Sequence, residues 1–222
     1  MLKKLFIRVW AGPLPEWYEK YIENTNSLKK YGFDFMVWND TKKLAELAKE
    51  KLGVTLELED GSKKAGDVDP LYGIIFEDYI RGYDFWGHTG LDCVYGRLDR
   101  FVSDEYLSDC DIFGNDPGSI CGPFSLYRNT PKVNNLFKKY PRWKEMIEDK
   151  KTWGFDEIQF AELVNQQKDL RVKYAFWQNY DDYKNLQKQD LKLLEDGTLW
   201  DNRANKETMM YHFNWLRNYP TL

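Results

Sequence analysis

The chain has 222 residues, of which 42% are hydrophobic and 31% charged, with a formal net charge of −4. That length buries a real core, that charge offers no basic footprint for nucleic acid or anionic membrane, and that composition excludes disorder. Cys93, Cys110 and Cys121 are odd in number and lack CxxC spacing, which argues against a zinc ribbon or a disulfide framework. No run reaches membrane-spanning length and the start lacks a signal peptide's apolar region, so a soluble cytoplasmic protein is expected.

In chain order, Leu5–Trp10 is β-rich and stops at Gly12, Pro13 and Pro15. Glu16–Lys30 reads as an amphipathic helix with Trp17, Tyr21, Ile22 and Leu28 on one face. Phe33–Trp38 is a second strand, and Asn39–Asp40–Thr41 supplies capping chemistry for a helix over Lys42–Leu52. Strand, helix, strand, helix opens a doubly wound α/β sheet, in which ligands gather outside the carboxyl ends of the strands. Trp10 and Asn39 fall at such ends.

Val54–Glu59 reads as a short strand, and Pro70–Arg81 as a helix carrying Leu71, Ile74, Ile75, Tyr79 and Ile80. Asp67, just ahead of it, reads either as an N-cap or as a polar contact to a nucleotide or sugar. Tyr83–Gly96, YDFWGHTGLDCVYG, is a buried strand that meets a glycine at Gly87 and then sets Asp92 in a turn bounded by Gly90 and Gly96. A strand ending in a glycine-flanked carboxylate can hold a hard cation at a sheet rim, although an ordinary loop fits the same residues.

Beyond it, Leu98–Leu107 reads as helical, Asp111–Phe113 and Ser119–Tyr127 as strands, and Lys132–Lys139 and Trp143–Asp149 as helices. Phe155–Gln166 is a helix with Ile158, Ala161, Leu163 and Val164 inward; Asp156 and Glu157 at its start suit the helix dipole. Leu191–Leu194 and Thr198–Trp200 flank Asp196–Gly197, a hairpin signal. Thr208–Leu216 is apolar, interrupted by His212 and followed by Arg217.

The two histidines, His88 and His212, each read as a hydrogen-bonded core residue or as a ligand. There is no GxSxG, no Walker loop, no GxGxxG after the first strand and no HExxH, so nucleophilic hydrolases, P-loop enzymes and zincins drop out.

Taken in order, the motifs form a pattern. They are the Gly12–Pro15 segment, Asn39–Asp40, Asp67-x-x-Pro70-x-Tyr72–Gly73, YDFWGHTGLDCVYG, Phe155–Asp156–Glu157 and Tyr211–His212–Phe213. This order resembles the small GT-A-fold, metal-dependent glycosyltransferases of bacterial and viral polysaccharide synthesis. The resemblance implies a single α/β domain over 1–222, Rossmann-related, with a mixed central sheet, flanking helices and a C-terminal β-hairpin. Residues 1–100 would form the nucleotide-sugar half and 101–222 the acceptor side.

It further implies a nucleotide-sugar donor, UDP-sugar favoured, a saccharide or lipid-linked acceptor, and Mn²⁺ or Mg²⁺ bridging the donor diphosphate. Where the family carries Asp-x-Asp, this chain has Gly90–Leu91–Asp92, so the first carboxylate is missing and the last maps onto Asp92. His212 matches the family's C-terminal metal-binding histidine. Trp10, Asn39, Asp67 and Arg217 would face the nucleotide-sugar, and Asp156 and Glu157 would lie on the acceptor side as base or orienting groups. A non-catalytic nucleotide-sugar or glycan binder, and a two-carboxylate glycoside hydrolase, are the rival readings.

Overall fold

The computed structural model describes residues 1–114, 120, 122–174 and 190–213. Its centre is a six-stranded mixed sheet built from β1 (Lys4–Val9), β2 (Phe33–Trp38), β3 (Phe85–Thr89), β5 (Ile112–Gly114), β6 (Phe124–Arg128) and β7 (Val172–Tyr174), in the order β2-β1-β3-β6-β5-β7. β1 runs parallel to β2 and β3, β6 is antiparallel to β3 and β5, and β7 is parallel to β5. Two smaller sheets accompany the central one among the described residues. β4 (Cys93–Tyr95) pairs with β11 (Met210–His212), and β8 (Leu191–Leu193), β9 (Leu199–Asp201) and β10 (Lys206–Thr208) form an antiparallel meander.

The alternation in β1 explains the layers. Leu5, Ile7 and Val9 point into a core shared with Leu44, Ala48, Tyr72, Ile75, Phe160 and Val164, whereas Phe6 joins the opposite core with Tyr21, Phe33, Tyr95 and Phe124. Side chains of period two therefore bury both faces, as a covered parallel strand requires. By the same period Arg8 shares the Phe6 face, one step from the carboxyl end of the strand. The helix Thr41–Leu52 starts where capping chemistry put it: the Asp40 carboxylate accepts from the Lys43 N–H at 2.9 Å.

Several elements differ from the sequence reading. The first helix is shorter, Tyr18–Asn26, followed by a 3₁₀ turn at Lys29–Tyr31. Val54–Glu59 forms no strand; Val54 and Leu56 are buried, but the Thr55 N–H goes to Glu148 rather than to a ladder. In place of one helix over Pro70–Arg81 there are short pieces, Lys64–Asp67, Asp69–Leu71 and Tyr72–Ile75. Leu98–Leu107 splits into Leu98–Phe101 and Asp104–Leu107 because the Ser103 hydroxyl caps a new start, accepting from the Tyr106 N–H. Lys132–Lys139 is likewise two short turns, Pro131–Asn134 and Leu136–Lys139.

Phe155–Gln159 is π-helical before the α-helix Phe160–Asn165. The wider first turn rotates Ile158 outward, to 55% exposed, where α-periodicity predicted it inward. β7 and β10 carry too few residues for a periodic signal. The strand expected over Ser119–Tyr127 begins only at Phe124, and residues 115–119, 121 and 214–222 lie outside the described residues.

Gly87 has a packing reason. A Cβ built on it would stand 2.0 Å from the Ser125 carbonyl oxygen and 3.0 Å from Leu126 Cδ2, so the β3–β6 approach tolerates no side chain. Gly87→Ala is expected to cost about 3 kcal/mol and to lower Tm by roughly 6–12 °C in a thermal melt.

Candidate functional site

The carboxyl ends of β1 and β3 open into a cleft of about 370 Å³, the size of a small-molecule site. Arg8 and Trp10 come from the end of β1, and Gly90 and Asp92 from the turn after β3. Asp69 lines the cleft from the broken helical stretch, Asp156 from the π-helical turn and His212 from β11. Trp17 forms an aromatic wall, its indole N–H donating to the Leu91 carbonyl at 3.1 Å and its ring edge-on to Phe213 at 5.6 Å.

Asp92 and His212 are 120 residues apart in sequence but adjacent in space: His212 Nε2 lies 2.9 Å from Asp92 Oδ2. The β4–β11 ladder explains this, since it sets His212 opposite Cys93 and lets the Phe213 N–H donate to the Asp92 carbonyl at 2.9 Å. Burial pushes the Asp92 carboxyl up. The His212 hydrogen bond and charge, with Arg8, outweigh that and hold it below the usual carboxylate range. Cys93, fully buried, has a thiol raised well above its usual range by burial and by the Asp92 charge. Ligand atoms of Asp92, Cys93 and His212 all lie within 4.8 Å of one another, a carboxylate–thiol–imidazole set able to hold a divalent cation.

Gly90 bounds this set. A Cβ there would meet Asp92 Oδ1 at 2.3 Å and Cys93 Sγ at 3.2 Å. Carboxylate and sulfur thus converge on space that any side chain at 90 would fill. The absent first carboxylate is therefore not a simple truncation, because this backbone leaves it no room.

The opposite wall is acidic. Asp69 is 2% exposed; burial raises its carboxyl to about 7, opposed by Arg8, and its Oδ2 sits 3.9 Å from His88 Nε2. Asp69 Oδ1 and Arg8 Nε have no hydrogen-bond partner among the described residues, and the buried Tyr72 hydroxyl faces Asp69. Asp156 is raised to about 7 by burial, by Asp69 and by Glu157, with Asp67 adding and His88 opposing. The Asp156 carboxyl thus answers to the charges of its acidic neighbours as well as to burial.

Stability follows with a definite sign. The native state holds a proton on Asp156 up to about pH 7, whereas an unfolded Asp releases it near pH 3.9. Stability from this group is thus present at low pH and is lost as pH rises through that window. Asp156→Asn should leave the urea midpoint close to wild type at pH 4 and raise it at pH 8; equal shifts at both would remove the burial argument.

The residues singled out from sequence divide into two groups. Trp10, Asp92, Asp156, Glu157 and His212 line the cleft together. Asn39 and Asp67 do not. The Asn39 amide donates to the Trp10 and Gly12 carbonyls at 2.8 Å each, shaping the loop after β1. Asp67 caps no helix ahead of Pro70. It is fully buried, pairs with Lys64 at 3.0 Å, and accepts from the Trp153 and Phe155 N–H groups at 2.9 and 2.8 Å. Arg217 lies outside the described residues. His88 is a core residue, bonded to the Gly122 carbonyl and to Ser125. The sequence reading missed Arg8, Asp69 and Cys93; the signal for Arg8 was a lone charge inside an otherwise apolar strand.

Comparison with known proteins gives one broad family match and, among solved structures, distant ones. Residues 6–219 match a family described as "Family of unknown function (DUF6625)". A search of curated proteins found no match. Among solved structures, a glycosyltransferase involved in the glycosylation of the major capsid of PBCV-1 aligns at 13% identity and TM-score 0.42, covering 80% of this chain and 83% of that one. The glycosyltransferase GlyE of Streptococcus pneumoniae TIGR4 aligns at 11% identity and TM-score 0.39, covering 85% of this chain but only 47% of that one.

Proposed function

This chain belongs to the DUF6625 family, whose function is unknown, and from its cleft we propose that it is a metal-assisted glycosyltransferase of GT-A type. The donor would be a nucleoside-diphosphate sugar, UDP-sugar favoured, and the acceptor a saccharide or lipid-linked saccharide. One observation carries the reading: the Asp92 carboxylate and the His212 imidazole, 2.9 Å apart, stand at the cleft on the carboxyl edge of the sheet.

Charge supports the metal. Among the described residues, Asp69, Asp92, Asp156 and Glu157 line the cleft against only Arg8 and Lys63 as cations, a lining that by itself disfavours a diphosphate. A divalent cation, Mn²⁺ or Mg²⁺, held by Asp92 and His212 would supply the positive charge that stabilises the departing nucleoside diphosphate. Arg8, which lines the cleft and feels the charges of both Asp69 and Asp92, adds a fixed cation there. Trp10 and Trp17 offer apolar faces for a base or sugar ring. Residues 1–100 thus supply most of the donor side, while His212 comes from the other half.

Asp156, raised to about 7, suits a general base that takes the acceptor hydroxyl proton at neutral pH if the reaction inverts. If it retains, the same carboxylates orient donor or acceptor. Glu157, exposed, sits at the acceptor-side rim.

The test is release of nucleoside diphosphate from a panel of UDP-, GDP- and dTDP-sugars with and without Mn²⁺. No metal-dependent release from any donor, in the presence of mixed oligosaccharide acceptors, removes the transferase reading. Calorimetric binding without turnover would then identify a nucleotide-sugar binder. Cleavage of an aryl glycoside with no nucleotide-induced thermal shift would identify a hydrolase.

A further inference from the structure

The sulfur beneath the cleft has no part in the transfer chemistry above, yet it lies against the same two groups that would hold the cation. We propose that Cys93 is the third protein ligand of that cation, making the site a carboxylate–imidazole–thiolate centre that prefers a borderline-soft ion such as Zn²⁺ over Mg²⁺. This rests on the metal-assisted reading and refines which ion the chain is built for.

Three observations meet here. Cys93 and His212 are direct partners in the β4–β11 ladder, so their side chains stand on the same face of the ribbon. Asp92, one residue earlier, turns its carboxylate back to His212 at 2.9 Å, and the ligand atoms of all three residues lie within 4.8 Å of one another. A tetrahedral zinc centre needs those atoms roughly 3.5 Å apart, so the set has only to draw in slightly.

The third observation is the crowding at Gly90. Asp92 Oδ1 and Cys93 Sγ both border the volume that a Cβ at 90 would occupy, at 2.3 and 3.2 Å. A side chain at 90 would push the carboxylate oxygen off its place beside the sulfur, so glycine there keeps the two groups together. Three protein ligands then leave one position for a donor phosphate oxygen, the pattern of a catalytic rather than a structural zinc site. Hard, oxygen-preferring Mg²⁺ gains little from a sulfur, whereas Zn²⁺, Co²⁺ and Cd²⁺ gain directly.

The experiment uses the full chain stripped of metal and titrated with Co²⁺ or Cd²⁺ while near-ultraviolet absorbance is recorded. A thiolate-to-metal charge-transfer band that saturates at one ion per chain is expected. It should vanish in Cys93→Ser and persist in Cys110→Ser. Calorimetry should find Zn²⁺ affinity reduced by roughly 10- to 100-fold in Cys93→Ser, with Mn²⁺ affinity nearly unchanged.

Mn²⁺ binding in wild type without any charge-transfer band overturns the sulfur ligand and leaves the metal-assisted reading standing. Absence of binding by every divalent ion overturns both. Should Cys93→Ser fail to fold, Asp92→Asn and His212→Ala decide the matter. A band that survives both comes from another thiol and sinks the proposal, while its loss in both supports it.

Discussion

Asp92→Ala is expected to lower metal-dependent release of nucleoside diphosphate by about 10²–10³-fold while leaving Tm close to wild type. The two halves of that expectation have separate causes. The carboxylate is the anionic anchor of the candidate cation site, hydrogen-bonded to His212 and directed into the cleft. The backbone of residue 92 contributes to the fold through its carbonyl, which accepts from Phe213 and needs no side chain. A variant that keeps full metal-dependent turnover would remove Asp92 from the chemistry, whatever the rest of the cleft does. His212→Ala should follow it in direction, and the double variant should lose little more than either single one, since each group holds the other in place.

Asp67→Ala is expected to do the opposite: to cost about 3–5 kcal/mol of stability, a fall of roughly 6–20 °C in Tm, before any effect on donor affinity is seen. Asp67 and Lys64 are essentially sealed from solvent, and the Lys64 ammonium also donates to the Met146 and Lys151 carbonyls. Removing the carboxylate leaves that ammonium buried without its counter-charge and frees the Trp153 and Phe155 N–H groups. Those two bonds fix the start of the helical turn that carries Asp156. The measurement is urea unfolding at pH 7 alongside donor titration of the folded fraction. A variant that melts like wild type yet binds donor tenfold more weakly would return Asp67 to the role of a direct ligand.

These two aspartates show how far sequence carries. The strands of the first half were legible because β1, β2 and β3 are long enough to display a period, and the Asp40 cap because its side chain acts three residues away. Asp67 was misread because its partners lie 86 and 88 residues downstream; nothing local distinguishes a cap for the next helix from a cap for a distant one. Asp69, two residues on, was passed over for the same reason, since its neighbours Arg8 and His88 come from two other strands. The broken helices after Lys64 and Leu98 lay beyond periodicity, because four-residue pieces hold a single turn each.

The ribbon of β4 and β11 has a consequence for how the protein matures. The six-stranded sheet can assemble from residues made well before Met210, but the cleft gains its imidazole only when the three residues Met210–His212 dock against Cys93–Tyr95. A nascent or proteolytically shortened chain ending before that point would retain most of its core and lack one half of its candidate cation anchor. Among the described residues, the strand that brings the imidazole to the cleft is thus made after every strand of the central sheet.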